Sequence, residues 1–66
     1  PATTELYVSL ENFSGPLSYE IIHINGKRVT VGVLKESQEV IDLSRYASGM
    51  YLLRLEDGRT MKFMKE

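Results

Sequence analysis

The sequence predicts an all-β fold, a small sandwich or barrel of short antiparallel strands. Three observations carry that expectation. Apolar and polar residues alternate with a period of two along most of the chain, and no long stretch follows the 3.6-residue period of a helix. Turn signals, above all Asn25-Gly26 and Asp57-Gly58, divide that alternation into six short runs. The length, 66 residues, allows one domain at most, spanning 1–66. A chain this short hides only about 60% of its unfolded surface. Its core therefore contributes a net stability of only a few kcal/mol, and little material is left for a deep catalytic pocket.

Taken in order, Leu6, Val8 and Leu10 alternate with Tyr7 and Ser9 and make a first strand. Phe13-Ser14-Gly15-Pro16 is turn chemistry. Leu17 to Ile24 is a second strand, and Asn25-Gly26 turns it into a third, Arg28 to Leu34, with Val29, Val31 and Val33 in step. Lys35-Glu36-Ser37-Gln38 reads as a polar loop before a short fourth strand, Glu39 to Leu43. Ser44 to Gly49 has the composition of one helical turn ended by glycine. Met50 to Leu55 and Arg59 to Lys65 form a second hairpin around Asp57-Gly58.

The hydrophobic pattern selects the loop lengths. A two-residue loop at Asn25-Gly26 sets Ile21 opposite Thr30 and Tyr19 opposite Gly32, which splits the apolar residues between faces. A three-residue loop, Ile24-Asn25-Gly26, sets Ile21 against Val29, Tyr19 against Val31 and Leu17 against Val33. The same choice at Glu56-Asp57-Gly58 sets Leu53 against Met61 and Tyr51 against Phe63. A one-residue slip moves a whole apolar set to the wrong face, so the longer loop is expected in both hairpins. Gly26 and Gly58 must then adopt positive φ. Each hairpin buries one side, as a two-sheet sandwich requires.

Composition excludes several function classes. Eight Lys and Arg against nine Asp and Glu give a net charge of −1, too balanced for a strongly basic nucleic-acid binder. No apolar run approaches the roughly 18 residues of a spanning helix. With no cysteine there is no disulfide framework or thiolate metal site. The chain opens on Pro1 rather than Met, which suggests a fragment or a processed product, with any targeting segment upstream. His23 is the lone histidine and reads as a strand-end residue rather than a catalytic base. The acids Glu20, Glu39 and Asp42 read as solvent-facing rather than as a glycosidase pair. The five glycines are isolated, so no phosphate loop exists. Neither a catalytic residue, a cofactor, a metal nor a small-molecule substrate is expected.

Two groups are left as candidate contacts. Tyr7 and Tyr46 fall off the predicted buried faces and could serve a structural or carbohydrate-binding module. Arg54, Arg59, Lys62 and Lys65 gather near the carboxyl end. They suit a solvated edge strand whose lysines discourage aggregation. They equally suit an edge that a partner reads by strand addition. An exposed edge also leaves an edge-strand homodimer open.

The order of the pieces resembles a known family. Pro1-Ala2-Thr3-Thr4-Glu5-Leu6 resembles the tail of an Asn-Pro-Ala-x-x-x-Leu opening, and His23 to Val29 resembles a middle hairpin with Gly-Lys/Arg-x-Val. Ile41-Asp42-Leu43-Ser44 followed by Ala47 to Leu55 is similar to an Asp-Leu-Ser segment leading to Gly-x-Tyr-x-x-Arg/Lys, and Gly58 to Lys65 to a closing Gly…Lys-Phe-x-Lys. Together these resemble the type A C-terminal sorting domain of type IX secretion in Bacteroidota.

The resemblance implies an Ig-like two-sheet sandwich of about six to seven strands and a non-enzymatic export signal. It further implies a cargo protein upstream that crosses the periplasm to the outer membrane, the cell surface or the medium. The implied partners are the outer-membrane translocon and a sortase-like peptidase. Carried onto this chain, the motif covers Gly49, Tyr51, Arg54, Gly58, Lys62, Phe63 and Lys65. By their chemistry, Gly49 should end the preceding turn and Tyr51 should bury its ring against Phe63. Lys62, with Arg54 and Thr60 near it, should lie on the opposite face, and Lys65 should reach water past the core; these charges are the expected recognition groups.

Overall fold

A computed structural model describes residues 4–66. Among them are six strands: β1 (Glu5–Ser9), β2 (Leu17–His23), β3 (Arg28–Leu34), β4 (Gln38–Asp42), β5 (Gly49–Leu55) and β6 (Thr60–Lys65). They form two antiparallel sheets, one of β1 and β4, the other in the order β3-β2-β5-β6. This is the expected small sandwich. Pro1, Ala2 and Thr3, part of the opening motif, lie outside the described residues.

The core lies between the sheets. Val8 and Ile41 come from the small sheet, Leu43 from the residue after β4, and Ile21, Leu34, Tyr51, Leu53 and Leu55 from the large one. No polar or charged residue is buried among the described residues. Glu39, at the base of the β3–β4 loop, accepts hydrogen bonds from the backbone N–H groups of Lys35 and Glu36.

The second hairpin takes the expected three-residue loop. Leu55 N–H donates to Arg59 O at 2.8 Å, Gly58 N–H donates to Leu55 O at 2.9 Å, and Gly58 has φ of +99°. Tyr51 pairs with Phe63 and Leu53 with Met61.

The first hairpin begins the same way and then departs. His23 N–H donates to Lys27 O, Gly26 N–H donates to His23 O, and Gly26 has φ of +97°. Ile22 pairs with Arg28, but Ile21 pairs with Thr30, so Val29 is the extra residue of a β-bulge. From there Tyr19 faces Gly32 and Leu17 faces Leu34. The expected pairs Ile21–Val29, Tyr19–Val31 and Leu17–Val33 are therefore corrected. The reason is steric. A Cβ on residue 32 would lie 2.6 Å from the Tyr19 hydroxyl oxygen, so the ring packs directly over the glycine. The slip also turns Leu34 into the core at 1% exposure and leaves Val31 62% exposed on the outer face.

The helical turn expected over Ser44 to Gly49 is also corrected. The segment holds a single tight turn, closed by Tyr46 N–H donating to Leu43 O at 2.9 Å. Asp42 accepts from the Ser44 N–H at 2.9 Å, a local bond that competes with helix formation. That bond holds the Asp42 carboxyl below its ordinary pKa.

Candidate functional site

The motif residues gather on the β5–β6 hairpin and divide by face. The inner face carries the aromatic pair. Tyr51 is buried at 3% exposure, and its ring stacks on Phe63 at 5.6 Å between centroids with 16° between planes. Its hydroxyl donates to Ala47 O at 2.6 Å, at the rim of the sandwich. His23, the last residue of β2, meets the same ring edge-on at 5.2 Å, and Tyr46 tilts against it at 5.4 Å. Three rings, from β2, the loop before β5 and β6, thus meet around Tyr51.

Gly49 opens β5 beside this cluster. Its φ is +148°, and a Cβ there would stand 3.3 Å from His23 Nε2. A side chain is disfavoured by backbone conformation and by the neighbouring imidazole together. His23 accepts the Asn25 N–H on Nδ1 at 3.2 Å, which ties the first hairpin's turn to the cluster.

The loop at Gly58 is held by its aspartate. Asp57 accepts from Arg59 N–H at 3.0 Å and pairs with the Arg59 guanidinium at 2.7 Å. The side-chain hydrogen bond from Arg59, with its charge, keeps the Asp57 carboxyl below its usual range. Arg59 also donates to Glu11 O at 3.0 Å, fastening the hairpin to the chain that follows β1.

The outer face carries the charges, and they are not equivalent. Arg54 donates to Glu20 through Nε and Nη2 at 3.1 and 2.9 Å. Glu20 is shared, because Arg28 reaches its other oxygen at 3.0 Å. Hydrogen bonding from Arg54, reinforced by Arg28, lowers the Glu20 pKa. Arg54 is thus occupied within the sheet. Lys62 is exposed and has no ion pair among the described residues; it faces Leu52 across the pair. Lys65 lies on the Phe63 side, half-buried, and donates to the Glu66 carbonyl oxygen at 2.9 Å.

The backbone of β6 completes this surface. Leu55 and Arg59 are hydrogen-bonded partners, so alternation along the ladder turns the groups of Met61, Phe63 and Lys65 toward β5. The N–H and C=O of Thr60, Lys62 and Met64 point the other way, to the open edge of the sheet. Lys62 therefore offers an ammonium group and unpaired main-chain groups at one place.

The two tyrosines expected as a contact pair do not form a platform. Tyr7 is 75% exposed on the small sheet, but Tyr46 turns its ring into the aromatic cluster. Pairing parity along the strands does not reveal Tyr46, because it lies in a loop. Nor did it reveal the bridging role of Glu20, which depends on β3 and β5 flanking β2. No three His, Cys, Asp or Glu side chains gather as a metal site among the described residues.

A family model described as a secretion system C-terminal sorting domain matches residues 1–66. No curated protein and no solved structure matched the chain.

Proposed function

The chain belongs to the family of type IX secretion C-terminal sorting domains, and from that membership we propose that it works as an address label read along the open edge of β6. A cargo protein upstream carries the label through the periplasm. An outer-membrane translocon binds the edge, and a sortase-like component acts on the delivered cargo. The label contributes a shape and a charge pattern rather than a reaction.

The observation that carries this reading is the division of labour on the last hairpin. Tyr51 and Phe63 hold the strand in register from inside, while Lys62 presents its ammonium group and unpaired backbone outward. Strand addition takes its affinity from main-chain hydrogen bonds and its selectivity from side chains at alternate positions. Lys62 and its neighbours Thr60 and Met64 supply both. Gly49, Gly58, Tyr51 and Phe63 act as scaffold, and Arg54 orders the outer face through Glu20.

Two variants separate signal from scaffold. Lys62→Ala in a cargo fusion should leave Tm within about 4 °C, since exposed substitutions change stability by only about 0.5 kcal/mol. It should nonetheless retain cargo in the periplasm, as should deletion of Met61 to Glu66. Tyr51→Ala should lower stability by about 3 kcal/mol or more. Normal surface delivery of the Lys62→Ala cargo, measured by cell fractionation, refutes the assignment of Lys62. Normal delivery of the six-residue deletion refutes reading at β6 altogether.

A further inference from the structure

The large sheet has a second open edge, β3, and its chemistry is opposite to that of β6. From Val29 to Leu34 the strand carries no charge and no proline. Val29, Val31 and Val33 are all exposed on the outer face. Natural edges normally carry lysine, proline or an inward charge to discourage pairing. β6 follows that rule through Lys62 and Lys65, but β3 beyond its bulge does not.

The hydrogen-bond ladder shows which groups β3 offers. Ile24 N–H donates to Met50 O and Glu56 N–H donates to Ser18 O, so the even-numbered residues of β2 bond toward β5. By alternation Tyr19 and Ile21 bond toward β3, where Gly32 and Thr30 meet them. The N–H and C=O of Val31 and Val33 are left pointing away from the sheet.

We propose that β3 is a self-association edge, pairing antiparallel with β3 of a second copy about a two-fold axis at Gly32. In that register Val31 of each copy stands opposite Val33 of the other, in hydrogen-bonded pairs, and the outer valine stripe continues across both molecules. Gly32 meets Gly32 at the axis, with the Tyr19 ring of each copy lying over its own glycine, and Thr30 meets Leu34. The pairing uses the regular part of the strand and avoids the bulge at Val29. Its charge pattern suits a second copy: no like charges face each other within the paired stretch. The nearest cation, Arg28, is already paired with Glu20 at 3.0 Å. A two-fold interface must be self-complementary, and this strand is.

Five paired residues a side bury well under the roughly 1,200 Å² of stable complexes, so the dimer is weak, with a dissociation constant on the order of 0.1–1 mM. The proposal is independent of reading at β6, which stays open at the far edge of each copy.

Sedimentation equilibrium of the chain up to about 1 mM tests it, alongside amide chemical shifts across the same series. The expected result is a reversible dimer with shift changes concentrated in Thr30 to Leu34. Val31→Lys with Val33→Lys sets like charges opposite each other and should weaken association at least about tenfold. Val31→Lys with Val33→Glu sets opposite charges across both pairs and should associate about as well as the parent. Both positions of change are exposed on the outer face, so Tm serves as the folding control. A parent chain that stays monomeric at the highest concentration overturns the proposal. So does a double-lysine variant that still dimerises, a charge-paired variant that does not, or loss of the dimer on Lys62→Ala.

Discussion

Tyr51 and Tyr19 show how single side chains decide local structure here. Tyr51 anchors the last hairpin because its ring is enclosed by Phe63, His23 and Tyr46 while its hydroxyl still reaches the Ala47 carbonyl. Buried tyrosine needs both, since an unpaired hydroxyl in the core is costly. Tyr19 acts by volume. Its ring fills the space that any side chain at position 32 would need. Gly32→Ala forces the ring or the strand to move, an overpacking change of about 1–3 kcal/mol. The expected outcome in thermal denaturation is a Tm lower by about 4–24 °C. An unchanged Tm would mean that Tyr19 leaves its position over Gly32 without loss.

Among the elements, β2 is the hub. It lies between β3 and β5, and Glu20 on its outer face joins Arg28 to Arg54. Because these bonds depress the Glu20 pKa below its unfolded value, the folded state favours the ionised carboxylate. The stabilisation is therefore present above the ordinary glutamate pKa and disappears as pH falls through the lower folded value. Asp42 and Asp57 are shifted in the same direction and add to the acid-side slope. Glu20→Gln should flatten the decline of Tm on the acid side and lower Tm slightly at neutral pH. Parallel Tm–pH curves for parent and variant would remove Glu20 from the account. Asp42 and Asp57 are exposed and Glu20 keeps partial access to water, so the effect is modest and sensitive to salt.

At the scale of the whole molecule, stability rests on a core that among the described residues comprises eight buried ones, seven from the two sheets and Leu43 just after β4. Leu53 is fully enclosed, so Leu53→Ala should cost about 2–5 kcal/mol. That is comparable to the total stability of so small a domain, and the variant should be largely unfolded in urea concentrations where the parent remains folded. A urea midpoint within error of the parent's would contradict a single shared core.

The division between sequence and tertiary structure follows the range of the interactions. Local turn chemistry and period-two alternation determined the six strands, both three-residue loops and the pairing of Tyr51 with Phe63, because each depends on neighbours along the chain. The order of motifs, an ordered pattern over the whole length, was enough to place the chain in its family. Tertiary structure alone decided the bulge at Val29, since the fit of the Tyr19 ring over Gly32 outweighs the propensity of valine to face inward. It also decided that Arg54 is held by Glu20 while Lys62 is not, and that Tyr46 turns into the core. Those outcomes depend on which strands lie side by side and on the space left between two sheets, quantities that arise only when distant segments pack together.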